Sequence, residues 1–229
     1  MVDILAFGVH PDDVEIGVGG ILIKHGLEGY TTIVCDLTEA ELSSNGTVAK
    51  RREEAALAAE ILKVKERINL GLPDRGLTLS SEQIDMITEV IRKYRPSVVM
   101  APYWDDRHPD HVTCGQMVKE AVFNAKLIHN KLGKHEAHHV KHLYFYFING
   151  WQKPDVVVDI SDVYEEKIKA LQAYQSQFVK SEGEVDTPIN DSLFFERIRG
   201  RDMLFGHQVG VDYGEGLMRI TPLLVPTLI

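Results

Sequence analysis

Short apolar runs alternate with stretches of helical period through the first half of this chain, and that alternation limits the fold more than any other feature. Residues 4–8 are continuously non-polar and read as a buried strand, with a helical pattern from about residue 14 to 26. Residues 32–37 form a second β-rich run, and residues 49–63 a helix carrying Ala55, Ala58, Ala59 and Leu62 on one face. Residues 68–71 are a short strand candidate. Ser80 and Gln83 make a capping-box pattern ahead of Ile84, Ile87, Ile91 and Tyr94, which hold a 3.6-residue period until Pro96. Residues 98–101 are the next buried strand. Strands separated by helices in this order pair in parallel and carry helices on both faces. The expected fold is a Rossmann-like, mostly parallel α/β sheet. With no repeat or linker, residues 1–229 read as a single domain.

Further along, a helix after His111 carries Cys114, Val118, Ala121, Val122 and Ala125. Residues 130–142 are polar and rich in His and Lys, and read as a loop. Residues 143–148 and 156–160 are strand candidates, Ser161 an N-cap for a helix reaching about residue 175, and residues 180–190 a polar surface loop.

Charge and cysteine content exclude some functions. The net charge of −9 offers no broad positive field for nucleic acid. No apolar run approaches the roughly 20 residues of a membrane span. Cys35 and Cys114 lack any C-x-x-C spacing and read as reduced, buried thiols, which suits a cytoplasmic protein.

Two segments carry chemistry. The first, His-Pro-Asp-Asp-Val-Glu-Ile-Gly-Val-Gly-Gly at 10–20, follows the first strand. The second, Asp-Arg-His-Pro-Asp-His at 106–111, follows the strand ending at residue 101. Ligands of open α/β sheets bind beyond the carboxyl ends of the strands, where strand order reverses. Two such loops rich in His and Asp can meet there. His10, Asp13 and His111 would supply the three ligands of a catalytic zinc site and leave a position for water. Asp12 and His108 remain, one able to take a proton from that water and the other to stabilise what forms. Each residue also has a plainer reading. Asp12 with Glu15 fits a helix cap with an acidic first turn. Gly17, Gly19 and Gly20 can simply allow close packing; they fall inside a helical pattern, which argues against a dinucleotide fingerprint. Two histidines and a carboxylate also match the facial triad of non-haem iron oxygenases, so Fe2+ is an alternative to Zn2+. A sugar-binding module with a structural metal is a third reading.

Residues 10–20 and 106–111 resemble the signatures of the LmbE-like, or PIG-L-type, zinc deacetylases, and the likeness extends over nearly the whole chain. Residues 36–47, 72–77, 148–150 and 174–178 carry a narrower likeness to the bacillithiol-pathway branch, which acts on N-acetylglucosaminyl malate. The resemblance implies His10, Asp13 and His111 as metal ligands, Asp12 as general base and His108 as electrostatic or acid partner. Asp110 would then orient His108, and Arg51 would face a substrate carboxylate. Arg107 and Arg75 are further candidates for that carboxylate, with Arg75 equally suited to stabilising its Pro-Asp-Arg-Gly turn. Ser44 and Asn45 either bond sugar hydroxyls or shape their loop. The resemblance also implies a small N-acetylated sugar as substrate and a homo-oligomer, commonly a hexamer. The chain departs from close relatives at Leu193-Phe194, where they tend to carry a Gly-Tyr pair. The tract His135, His138, His139 and His142 is either a second metal site or an exposed loop.

Overall fold

The computed structural model describes residues 2–180, 183, 185–225 and 227. Seven strands form one sheet: β1 (Ile4–Gly8), β2 (Thr32–Thr38), β3 (Glu66–Leu72), β4 (Val98–Pro102), β5 (His142–Tyr146), β6 (Val156–Asp159) and β7 (Gly214–Met218), in the order β3-β2-β1-β4-β5-β7-β6. The first five are parallel. β7 runs antiparallel between β5 and β6. Helices α1 (Asp13–Leu27), α2 (Val48–Ile61), α3 (Ser81–Tyr94), α4 (Pro109–Ala125), α5 (Tyr164–Gln172), α6 (Gln175–Phe178) and α7 (Phe194–Val209) surround it.

The continuous apolar runs follow from burial on both faces, because successive strand side chains point to opposite sides. In β1, Ile4 and Ala6 enter one core, with Val14, Ile21, Ala58 and Leu171. Leu5 and Phe7 enter the other, with Ile84, Ile91, Cys114 and Val118. Helices α1, α2 and α5 cover the first face, and α3 and α4 the second. The chain leaves β1 towards β2 and β3, then returns to the other side of β1 as β4. The crevice between the ends of β1 and β4 is therefore the switch point of the sheet.

Some sequence expectations shift. Ser80 caps α3 by accepting from the Gln83 N–H, but Gln83 does not return the bond; its side chain holds Thr78 N and Gly76 O instead. Ser161 does not cap one long helix. Its hydroxyl donates to Asp159 Oδ1, residues Ser161–Val163 form a 3-10 turn, and α5 ends at Gln172. The expected surface loop at 180–190 includes residues 181, 182 and 184, which lie outside the described residues. Its described residues are mostly exposed, as expected, but Asn190 is buried, and Thr187, Pro188 and Ile189 line a cavity. α7 and β7 lie beyond the elements expected from the sequence.

Candidate active site

The loop after β1 turns sharply into α1. Asp13 holds this turn, since its Oδ2 accepts from both Val9 N and His10 N at 2.9 Å. Gly17 lets α1 lie on the sheet, because a Cβ there would stand 2.0 Å from the Tyr146 ring. Asp12 occupies the cap position of α1 with φ 132°, a backbone conformation that costs a non-glycine residue on the order of 1–3 kcal/mol. Its side chain makes no capping bond. The carboxylate instead receives Arg51 Nη1 at 3.0 Å, and both residues are buried.

Across the crevice, His108 caps α4 and His111 sits in its first turn. His111 Nε2 lies 3.2 Å from Asp13 Oδ1, and His10 Nδ1 lies 3.6 Å from Asp13 Oδ2. The donor atoms of His10, Asp13 and His111 all fall within 4.8 Å of one another. Each histidine also has a carboxylate on its other nitrogen. Asp106 Oδ1 is 3.1 Å from His111 Nδ1, and Asp74 Oδ1 is 3.1 Å from His10 Nε2. Metal-ligating histidines are commonly oriented by such a partner. Neither aspartate is assigned a role from the sequence, although both lie in quoted segments. What marks them is proximity to the histidines, which only the fold creates.

The electrostatics fit a cation. Burial opposes charge on the imidazoles, yet the bonds to Asp13 and Asp74 carry His10 up to about 10. Burial likewise opposes charge on His111, and Asp13 and Asp106 carry it up to about 9. The cluster draws protons into the positions that a divalent ion would neutralise. Burial lifts Asp12 to about 7 against the pull of Arg51, with repulsion from Asp13 adding to the rise. A second grouping, His10, Asp74 and Asp110, also converges. It is less suited to a metal, because Asp110 already accepts from Arg75 N and Nη1, each at 2.7 Å.

That bond corrects the expected role of Asp110. Its carboxylate does not touch His108. The Asp110 backbone N–H does, donating to His108 Nδ1 at 3.2 Å. With Nδ1 accepting, neutral His108 carries its proton on Nε2 and acts as a donor. Burial, then the charges of His111 and His10, lower its pKa and favour the neutral form. Its ring stacks on His111 at 4.6 Å.

A cavity of about 420 Å3 opens over these groups and is lined by His10, Asp12, Asp13, His108 and His111. Ser44, Arg51, Arg75 and Arg107 reach its wall. Asn45 does not line it; its side chain holds Val185 N and O. Arg51 differs from the expected free guanidinium, since it donates to Asp12, to Pro11 O at 2.6 Å and to Ser43 Oγ at 3.1 Å. In the His-rich tract, His135 pairs with Glu89 and His138 meets Pro96 O, and neither joins a converging ligand group among the described residues. Cys35 and Cys114 are buried thiols whose pKa is pushed up by burial. At the point of departure, Phe194 stacks on Phe178 at 4.9 Å, and Leu193 is exposed.

The family model for GlcNAc-PI de-N-acetylases, PIG-L, matches residues 5–122, which contain both loops and every residue of the converging cluster. The chain belongs to the PIG-L family. Diacetylchitobiose deacetylase of Thermococcus kodakarensis is 32% identical, over 93% of this chain and 81% of its own length. A probable N-acetyl-α-D-glucosaminyl L-malate deacetylase of Bacillus subtilis is 24% identical over 73% of this chain and 80% of its own. The conserved protein TT1542 of Thermus thermophilus superposes with a TM-score of 0.90 at 36% identity, covering 99% of this chain and 98% of that one. This PIG-L chain is an enzyme of the deacetylase class.

Proposed function

We propose that the protein hydrolyses the acetamide of an N-acetylglucosaminide to a free amine and acetate, with N-acetylglucosaminyl malate as its substrate and zinc as its metal. The observation that carries the reading is the donor set of half-buried His10 with buried Asp13 and His111, beside a buried, backbone-strained Asp12 on one cavity. His10, Asp13 and His111 would hold a divalent ion, which would supply Lewis-acid polarisation of the acetyl carbonyl and lower the pKa of water towards roughly 7. Asp12 accepts the proton of the attacking water, and Arg51 keeps its carboxylate aimed into the cavity. His108, held as an Nε2–H donor, stabilises the negative charge that develops on the acetyl oxygen. Protonated Asp12 then delivers its proton to the leaving nitrogen, since His108 Nδ1 is already occupied by the Asp110 amide. Atoms balance: one water is consumed, its hydroxyl going to acetate and its proton to the amine.

The 32% identical relative supports a second reading, in which the substrate is N,N'-diacetylchitobiose. Both readings suit a cytoplasmic homo-oligomer acting as one domain. The test is amine release from N-acetylglucosaminyl malate, diacetylchitobiose and free N-acetylglucosamine by zinc-loaded protein. The malate glycoside is expected to lead in kcat/KM. A lead by the disaccharide selects the second reading, and no amine from any of the three removes both.

A further inference from the structure

A second cavity, of about 540 Å3, adjoins the first, and Arg107, Ile148, Asn149 and Pro188 line both. Their shared wall stands close to the chemistry, since Asn149 Nδ2 is 2.8 Å from the Asp106 carboxylate that orients His111. α7 and the turn after residue 148 form the rest of this groove. Among the described residues three arginines line it, Arg107, Arg197 and Arg201, and no carboxylate does. In a chain of net charge −9 this is a local reversal of sign. Arg201 is already committed, donating to the carbonyls of Phe147, Ile148 and Ile16 and to the buried Asp202 carboxylate. Arg107 and Arg197 are exposed. Arg107 donates to Asn149 Oδ1 at 3.0 Å, and Arg197 pairs at 3.3 Å with Asp191, itself exposed; a ligand can displace both contacts. Trp151 stands on the rim with 57% of its surface exposed. Gly200 leaves space in the wall, because a Cβ there would meet nothing within 4 Å.

We propose that this groove is the subsite for the substituent on the sugar's anomeric carbon, and that it selects an anionic substituent, a carboxylate or a phosphate, through Arg107 and Arg197. The inference rests on the deacetylase reading. A sugar with its acetamide over the metal donors must send its remaining substituent out across the cavity rim, and the groove lies there. Arg51 is buried and already holds Asp12, Pro11 O and Ser43 Oγ, which leaves the exposed Arg107 and Arg197 as the freer cations. Two displaceable guanidinium forks beside an apolar rim suit a carboxylate or phosphate better than a neutral ring. One charge-assisted hydrogen bond is worth roughly 10- to 150-fold in affinity.

The test uses the metal-loaded full chain and three N-acetylglucosaminides that differ beyond the anomeric oxygen: the malate glycoside, the 1-phosphate and neutral diacetylchitobiose. The readout is the ratio of kcat/KM for each anionic compound to that for the neutral one, so that metal loading and folding cancel. The ratio for at least one anion is expected to be ten or more, expressed mainly in KM. Its carboxylate and phosphate arms tell the two sources apart. Arg197→Ala should bring the ratio down at least tenfold, and Gly200→Leu, whose Cβ would meet nothing within 4 Å, should lower it too. A ratio at or below one in the unmutated enzyme overturns the proposal, as does a ratio that neither variant moves. Occupancy is also read without turnover. The chain has two tryptophans, and Trp151 fluorescence should change as glucosaminyl malate binds, with Trp151→Phe removing the change. If no compound is deacetylated, the functional reading fails while fluorescence still decides the groove; a flat titration overturns the subsite.

Discussion

Of the buried ionic clusters that grip helix α1, two do opposite things. At its N-terminus, Asp12 and Asp13 face His10, His111 and Arg51 and line the 420 Å3 cavity. Further along, α1 breaks at Val18, whose φ of −141° is non-helical. The break frees the N–H groups of Gly20 and Ile21, and Glu215 on β7 accepts both, at 2.9 and 2.7 Å. Lys167 on α5 closes that second cluster, 2.8 Å from Glu215 and 2.6 Å from Asp202 on α7. Lys167 and Asp202 are wholly inaccessible. Burial raises the pKa of Glu215, and Lys167 opposes the rise. Both clusters remove charge from water at a cost that only pairing can offset. In the sealed one, Lys167 and Arg201 answer two carboxylates, and its groups aim at one another and at backbone. In the open one, donor atoms converge on a shared point beside free space. Buried charge therefore does not mark a site; buried charge that converges on a cavity does.

The largest effect should come from removing a donor of the open cluster. His111→Ala is expected to lose the bound ion and all measurable amine release, with metal content read by elemental analysis. Full activity in that variant would erase the distinction between the clusters. Asp12→Ala should keep its ion and lose roughly 100- to 10,000-fold in kcat, the range for a general base. Normal turnover with reduced stability would reassign Asp12 to the backbone of α1.

The sealed cluster should respond in stability. Lys167→Met keeps the volume but removes the cation of Glu215 and leaves Asp202 with Arg201 alone, at about 3–5 kcal/mol by urea unfolding. Turnover per folded, metal-loaded molecule should stay near that of the parent. A drop as deep as that of Asp12→Ala would show that the cluster acts on the chemistry. The smallest effect is expected from Asp106→Asn, which weakens the orienting bond to His111. Metal affinity, measured by competition with a chelator, should fall roughly 10- to 100-fold. An unchanged affinity would mean that Asp106 serves only the loop that it braces through Asn149.

The parallel half of the sheet is legible in the chain because its signals are local. Residues 4–8 and 98–101 are apolar runs bounded by turns, and the His-Pro-Asp segments stand directly after their strands. β7 is not legible in that way. Gly-Glu-Gly-Leu-Met has almost no strand propensity, and only pairing with β5 and β6 makes it extended. The helix Phe194–Val209 escapes the sequence reading with it. Arg51 shows the same limit at the site. Its place in the chain suggests a ligand for a substrate anion, but its geometry makes it the partner of Asp12.

The order of residues is enough to set the alternation of strands and helices and the loops where chemistry concentrates, because period, turn residues and motif spacing act over a few neighbouring positions. Which groups touch is settled only in the folded chain. Folding places Asp74 on His10, Asp106 on His111 and Arg51 on Asp12, and turns Asp110 away towards Arg75. It also brings Glu215 to α1, 194 residues away from Ile21. Hydrogen bonds and desolvation depend on distances in space, and no local pattern in a chain records them.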